Sequence, residues 1–115
     1  MGFDELDVGT IWQDGAFVAW DDATIHVLSH GLHYGTGIFE GVRCYDTTEG
    51  PAIFRWEEHL ERFHLSAKPY EMTIPYSSEE LTDATLELVR REGLTSCYIR
   101  PVAFYGYGSL GVSPG

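Results

Sequence analysis

The chain has 115 residues, of which 43% are hydrophobic and 14% aromatic, a composition that supports one packed domain and argues against disorder. Eighteen acidic residues against seven basic ones give a net charge of −11 at pH 7, which argues against a nucleic-acid partner because phosphate would be repelled. The sequence has no apolar run of about 18 residues and begins with an acidic segment, so we expect no membrane segment, no signal peptide and a cytoplasmic location.

The first predicted elements are short strands joined by turns. Residues 11–12 and 16–18 are apolar and flank Asp14-Gly15, a dipeptide typical of two-residue hairpin turns. Residues 24–28 are rich in β-branched and apolar side chains and predict another strand. Residues 29–35 are polar and flanked by glycine, so we expect a loop or a single helical turn there.

A central strand is predicted at residues 37–45, because β-branched and aromatic residues dominate this segment. Successive strand residues point to opposite faces, so Phe39, Gly41 and Arg43 share one side, and the other side is apolar except for Glu40. A glycine between bulky neighbours lets a ligand approach the backbone, and an arginine beside it can bind an anion. The alternative is a half-exposed strand with a solvated arginine.

Two helices are predicted in the second half of the chain. The first covers residues 55–68, where apolar residues recur at helical spacing, and Pro69 ends it. The second begins at the capping box formed by Ser77 and Glu80 and ends at Gly93.

The last strand, residues 96–105, repeats the pattern of the central one. Tyr98 and Arg100 alternate onto one face, with apolar residues on the other. If this face meets the one that carries Arg43, the two form a concave site with two guanidinium groups and a phenol, suited to a small carboxylate ligand. Strands joined by short turns, with two helices between them, predict an α+β fold with a mostly antiparallel sheet.

Two further patterns favour structural roles over ligand binding. Residues 106–111 match G-x-G-x-x-G, but residues 112–115 offer no helix N-terminus for a pyrophosphate, so we reject a dinucleotide site. A metal site is the hypothesis that the five histidines raise: His26, His30 and His33, together with His59 and His64. The spacing of the first three is one that a metal site tolerates, but no cysteine or acid lies near them. We expect these histidines to hydrogen-bond the backbone around them, and we expect no metal.

Cys44 and Cys97 have no metal-ligand spacing and both lie in predicted strands. We expect both to be free thiols that pack as small hydrophobes, as in most cytoplasmic proteins. A disulfide between them would require their two strands to be neighbours.

Five motifs occur in chain order: H-G-L-H-Y-G at residues 30–35, F-E-G-V-R-C-Y at 39–45, H-x-x-R at 59–62, S-A-K at 66–68 and Y-I-R-P at 98–101. Together they closely resemble the N-terminal domain of the branched-chain amino acid aminotransferases, which are class IV (fold-type IV) pyridoxal-phosphate transaminases. The likeness covers nearly all of the chain. D-amino acid aminotransferases and aminodeoxychorismate lyases share this fold, but the second and fifth motifs match the branched-chain group.

The resemblance implies a role for eight residues, five of which the strand faces already select. Arg100 would hold the side-chain carboxylate of glutamate, and Arg43 stands on the same face as the matching pocket residues. The implied sets are Arg62 for the cofactor phosphate, then Phe39, Gly41, Arg43, Tyr98 and Arg100 for the substrate, and finally Tyr34 and Val112 for the pocket of a neighbouring subunit in a homodimer or larger assembly.

The resemblance also implies that the cofactor-anchoring lysine lies in a larger C-terminal domain, about 45 to 50 residues beyond Gly115. Lys68 is the only lysine of this chain and matches a structural position instead. We therefore expect residues 1–115 to be an N-terminal small domain that contains no catalytic residue and is inactive by itself.

A full-length enzyme would transaminate leucine, isoleucine and valine with 2-oxoglutarate, in the biosynthesis of branched-chain amino acids. The alternatives are a D-amino acid aminotransferase, an aminodeoxychorismate lyase-like enzyme, or a non-enzymatic module for carboxylate binding or dimerisation.

Overall fold

The computed structural model describes residues 9–107, which cluster into two compact units. One unit contains residues 9–24 and 76–94, and the other contains residues 25–75 and 95–107. No helix in this range is both long enough and apolar enough to cross a membrane. The helices and strands, in chain order, are β1 (Thr10–Gln13), β2 (Ala16–Ala19), a 3-10 turn (Trp20–Asp22), α1 (His30–Tyr34), β3 (Gly37–Phe39), β4 (Val42–Thr47), β5 (Gly50–Ile53), α2 (Trp56–Ala67), a second 3-10 turn (Lys68–Tyr70), α3 (Ser78–Glu92), β6 (Cys97–Ile99) and β7 (Val102–Phe104).

The first unit consists of the predicted hairpin and the second predicted helix. β1 and β2 pair antiparallel around Asp14 and Gly15, which both have positive φ, at 51° and 87°, as a type I′ turn requires. At the start of α3, the Ser77 side chain accepts a hydrogen bond from the Glu80 amide at 3.0 Å, and the Glu80 carboxylate accepts one from the Ser77 amide at 3.1 Å. Gly93 ends the helix in the left-handed conformation. The hairpin, the capping box and the glycine terminus are all confirmed.

The second unit contains the two long predicted strands, and each of them is broken. The segment 37–45 forms β3 and β4, which are separated by Glu40 and Gly41, and the last strand forms β6 and β7, separated by Arg100 and Pro101. β3 pairs with β7, while β4 pairs with β5 and β6. The Glu40 amide donates to the Pro101 carbonyl at 3.1 Å, so the two breaks lie side by side. The prediction of two continuous strands was wrong, because Pro101 has no N–H with which to continue the ladder.

The alternation of side chains nevertheless continues through the break. Ile38, Val42 and Cys44 are buried, whereas Phe39 and Tyr45 on the opposite face are exposed. The core of this unit is a cluster of Ile38, the α2 residues Phe63 and Ala67, Met72 and Tyr105. The apolar stripe predicted for the first helix therefore packs against the buried side of β3.

Two differences from the predictions have local causes. Residues 24–28 form no strand, because Leu28 donates its amide to Nδ1 of His26 at 3.0 Å and the Ser29 hydroxyl donates to the His26 carbonyl at 2.7 Å. Such side-chain bonds compete with the hydrogen bonds of a sheet. The segment that follows is the single helical turn α1, so the described range has three α-helices where two were predicted. All strand pairs in this range are antiparallel, which confirms the α+β class.

Candidate functional site

The exposed sides of the broken strands form one continuous face. Arg43 lies directly opposite Tyr98 in the β4–β6 pair, and Phe39 precedes the break on the same side. Gly41 and Arg100 lie in the breaks themselves, and all five residues are exposed. We call this set, Phe39, Gly41, Arg43, Tyr98 and Arg100, the ribbon face. The structure thus brings together every residue that the sequence predicts for the substrate pocket.

Arg100 is held between two aromatic rings of the ribbon face. Its guanidinium carbon lies 4.5 Å from the ring centre of Phe39 and 5.4 Å from that of Tyr98, within the range of cation–π attraction. Nη2 of Arg100 also donates to the Tyr98 hydroxyl at 2.8 Å. The guanidinium is therefore oriented before any ligand arrives, and its other N–H groups remain available for an anion.

Gly41 allows the Tyr98 side chain to lie against the backbone. A Cβ atom at position 41 would overlap the Tyr98 hydroxyl and lie 3.1 Å from Cζ of the ring, which is closer than ordinary contact. The sequence predicts that this glycine makes room for a ligand. In the structure the phenol of Tyr98 occupies this space, so Gly41 contributes to the ribbon face by letting the Tyr98 side chain pack against the backbone.

Arg43 has a different environment from Arg100. Its side chain is exposed and makes no hydrogen bond or ion pair with the described part of the chain. Arg43 is thus a second cation on the ribbon face whose donors remain available to an acidic ligand.

Beneath the ribbon face, the buried carboxylate of Glu40 binds two residues of α2. Arg62 donates from Nε to both carboxylate oxygens, at 3.1 and 3.0 Å, and from Nη2 to Oε1 at 2.7 Å. His59 Nδ1 lies 2.9 Å from the same Oε1. The hydrogen bonds from Arg62 lower the pKa of Glu40, burial opposes this shift, and the bond from His59 supports it. Glu40 is therefore an ionised group on the core side of the strand break.

The remaining predicted residues lie on α2, on α1 and outside the described range. Arg62 lies on α2 with an exposed side chain bonded to Glu40. Tyr34 lies at the end of α1 and is 73% exposed, and Val112 lies outside the described residues. The roles of Glu40 and His59 were not predicted from the sequence. Two sequence features could have indicated these roles. Glu40 is the single acid on an otherwise apolar strand face, and His59 and Arg62 are one helical turn apart.

The histidines near α1 bond to their own surroundings. His33 Nε2 lies 2.7 Å from the Val27 carbonyl, and His26 accepts a backbone amide as described above. His30 instead hydrogen-bonds the Thr36 hydroxyl at 2.7 Å, and His59 bonds the Glu40 carboxylate. Nε2 of His64 is buried with no hydrogen-bond partner among residues 9–107, so the backbone prediction is confirmed for two of the five histidines. Among residues 9–107, no group of three or more histidine, cysteine or acidic side chains is arranged to hold a metal ion.

The two cysteines lie directly opposite each other in the β4–β6 pair. Their strands are therefore neighbours, as a disulfide would require, yet both Cys44 and Cys97 are free thiols, as predicted. Burial raises the pKa of Cys97, and the neighbouring Cys44 thiol raises it further. A raised thiol pKa lowers the fraction of reactive thiolate at neutral pH.

Residues 37–115 match the family described as amino-transferase class IV. Over 104 residues, which are 90% of this chain, the sequence is 50% identical to the branched-chain-amino-acid aminotransferase of Escherichia coli (strain K12) and 54% identical to that of Pseudomonas aeruginosa. The chain spans 34% of the length of each of these relatives.

Solved structures show the same similarity. The T.th. branched-chain amino acid aminotransferase complexed with N-(5′-phosphopyridoxyl)-L-glutamate is 57% identical, with a TM-score of 0.86 over 92% of this chain and 36% of that one. The Escherichia coli enzyme is 48% identical, also with a TM-score of 0.86. This chain matches the N-terminal portion of these enzymes.

Proposed function

Because the chain belongs to the amino-transferase class IV family, we propose that residues 1–115 form the N-terminal small domain of a pyridoxal-phosphate-dependent branched-chain amino acid aminotransferase. The observation that carries this proposal is the ribbon face, which places two arginines and a phenol beside apolar ring surface. The family match and the high identity to such enzymes support the reaction class. The cofactor-anchoring lysine and the larger domain would follow in the reading frame beyond this chain.

The ribbon face has the chemistry that two kinds of substrate need. The ring of Phe39 offers apolar surface to a branched side chain, while Arg100 and Arg43 offer N–H donors to carboxylates. The T.th. relative has been solved with a phosphopyridoxyl-glutamate adduct and with 4-methylvaleric acid. One of these ligands carries a side-chain carboxylate and the other a branched apolar chain, so both kinds fit within that relative. We propose the same substrate pair here: leucine, isoleucine or valine, and 2-oxoglutarate.

The residues of this chain also fit the phosphate of the cofactor. The Arg62 side chain is 64% exposed and bonds to Glu40 through Nε and one hydrogen of Nη2, so its Nη1 group remains free for an anion. Bound pyridoxal phosphate would supply an electron sink for the reacting carbon. This chain would supply the phosphate ligand Arg62 and the substrate-orienting arginines, and the proton-transferring lysine would come from the C-terminal domain that we propose to follow it.

A subunit interface is the role that we propose for residues 25–34. This segment carries an unusual share of exposed apolar side chains, and such concentrations mark contact surfaces on soluble proteins. We propose that it contacts a second copy of the chain in a homodimer, where Tyr34 and Val112 reach the neighbouring pocket. The exposed residues are Ile25, Val27, Leu28, Leu32 and Tyr34.

The direct test is an activity assay on the product of the full reading frame and on the 115-residue chain. We expect the full product to convert leucine and 2-oxoglutarate when pyridoxal phosphate is present, and we expect the 115-residue chain to be inactive. Turnover restricted to D-amino acids would replace the substrate assignment. A full product that binds 2-oxoglutarate but turns over no amino acid would show a carboxylate-binding module instead.

The role of Arg100 is tested by Arg100→Ala in the full product. Loss of a charged hydrogen-bond donor should raise KM for 2-oxoglutarate by roughly 10- to 100-fold, with a smaller effect on KM for leucine. Arg91→Ala is the matched control, because the Arg91 guanidinium also stacks on a phenylalanine, 4.0 Å from the Phe17 ring centre, but in the other unit. Equal changes in both KM values for Arg100→Ala would contradict the assignment.

A further inference from the structure

Glu40 joins the ribbon face to the arginine of α2. It lies between Phe39 and Gly41 in the chain, and its own side chain points to the opposite, buried side, where it is 6% exposed. A buried carboxylate is costly unless donors surround it. Here its oxygens receive hydrogen bonds from Arg62 and His59, and its amide donates to the Pro101 carbonyl at the strand break.

The contacts of Glu40 define which part of the Arg62 guanidinium is available. The group is planar and has five N–H donors in a fixed fork. Glu40 binds the edge formed by Nε and one hydrogen of Nη2. Nη2 also lies 3.3 Å from Nδ1 of His59, so the donors that remain are the two hydrogens of Nη1, on the part of the planar group that Glu40 does not bind. Both can donate to the oxygens of a phosphate.

We propose that Glu40 is a positioning residue, which holds Arg62 in the orientation in which its remaining N–H groups bind the phosphate of the cofactor. This inference rests on the phosphate-binding role proposed for Arg62 above. Glu40 itself would not touch the phosphate. Its contribution is to keep a long, exposed side chain in one orientation, so that less conformational freedom is lost when the phosphate binds.

The negative charge of Glu40 and its hydrogen bonds to Arg62 have opposite effects on phosphate affinity, so the direction in which a Glu40 variant changes that affinity tests the proposal. The negative charge of Glu40 repels a phosphate dianion through the guanidinium, and removing it would tighten binding. Loss of the orienting bonds would weaken binding. Glu40→Gln keeps the size of the side chain, removes the charge and replaces one acceptor with a donor that faces Arg62. If positioning dominates, this variant binds phosphate more weakly.

The experiment uses the full reading-frame product and two ligands, pyridoxal phosphate and pyridoxal, which differ only in the phosphate. We expect Glu40→Gln to raise Kd for pyridoxal phosphate about tenfold and to leave Kd for pyridoxal unchanged. A general loss of structure would move both constants together. An unchanged or lower Kd for pyridoxal phosphate in Glu40→Gln would overturn the proposal.

Two further variants separate this inference from the proposed function. Arg62→Gln should itself raise Kd for pyridoxal phosphate, and if it does not, the proposed role of Arg62 fails. If Arg62→Gln raises that Kd and Glu40→Gln does not, Glu40 is no positioning residue. Glu87→Gln is the matched control, because Glu87 also binds two arginines, on α3 in the other unit, and it should change neither constant.

Glu40→Asp keeps the proposal testable if Glu40→Gln does not fold. It retains the charge but shortens the side chain, so the orienting bonds are strained while the repulsion remains. We expect the same direction of change, a higher Kd for pyridoxal phosphate at constant Kd for pyridoxal. Wild-type affinity for both ligands would contradict the inference.

Discussion

Replacing Gly41 with alanine tests how the ribbon face holds Arg100. The backbone at Gly41 is outside the left-handed region, so alanine is permitted there by conformation. The new Cβ would lie 3.1 Å from Cζ and 3.3 Å from Cε2 of Tyr98, with the hydroxyl closer still. Ordinary carbon contacts are about 3.5 to 4.0 Å, so the ring must move outward by roughly half an ångström at Cζ and by more at the hydroxyl.

This movement of the Tyr98 ring should weaken substrate binding more than it lowers the stability of the fold. Tyr98 is 51% exposed, so its ring can swing into solvent at a cost of about 1 kcal/mol, which includes the lost bond to Arg100. Arg100 then keeps only its contact with Phe39 and is less well oriented. We expect KM for 2-oxoglutarate to rise about 5- to 10-fold in the full-length product, with a small loss in melting temperature.

The assay compares Gly41→Ala, Tyr98→Phe and the double variant. Tyr98→Phe removes the same hydroxyl without the overlap, so it should raise KM to a similar extent while stability is unchanged. In the double variant most of the overlap is gone, so the two effects on KM should not add. Additive effects, or wild-type KM and melting temperature for Gly41→Ala, would refute the reasoning.

Two predictions concern the first unit. Gly15→Ala should lower the free energy of unfolding, measured by thermal denaturation, by about 1 to 2 kcal/mol. Gly15 has a φ of 87°, and a Cβ there would lie 3.1 Å from the Tyr76 hydroxyl. Gly50→Ala is the control that measures the cost of positive φ alone, because Gly50 also has positive φ but no atom within 4 Å of the added Cβ. The second prediction concerns how stability depends on pH. Hydrogen bonds from Arg90 and Arg91 lower the pKa of Glu87 from 4.5 to about 2. Since the folded pKa is depressed, this stabilisation is complete above about pH 4.5 and is lost as the pH falls towards 2. Between pH 4.5 and 2, the free energy of unfolding of Glu87→Gln should therefore fall less steeply with decreasing pH than that of the wild type. The same pH dependence in both proteins would contradict this prediction.

Short-range features of the fold were predictable from the sequence because their causes lie within a few residues. Asp14-Gly15 can adopt positive φ at both positions and so specifies a two-residue hairpin. Ser77 and Glu80 satisfy each other's backbone amides, which starts α3 where predicted. The strand expected at residues 24–28 failed for an equally local reason, the hydrogen bonds of His26 and Ser29, but β propensity carries no information about such competing bonds.

The candidate site was predictable only in part. Alternation along a strand assigns Phe39, Gly41 and Arg43 to one face, and Tyr98 and Arg100 to another, without any knowledge of the fold. That alternation could not show that the two faces adjoin, because strand register depends on residues more than fifty positions apart in this chain.

The sequence by itself thus determined the family, the local turns and caps, and which side chains share a strand face, because each depends on neighbouring residues or on a string of motifs. The tertiary structure decided that both strands break side by side, that Tyr98 covers Gly41, and that Glu40 binds Arg62 beneath the ribbon face. Each of these features is a contact between segments that are distant in the chain, and its geometry exists only once the strands and α2 have packed together.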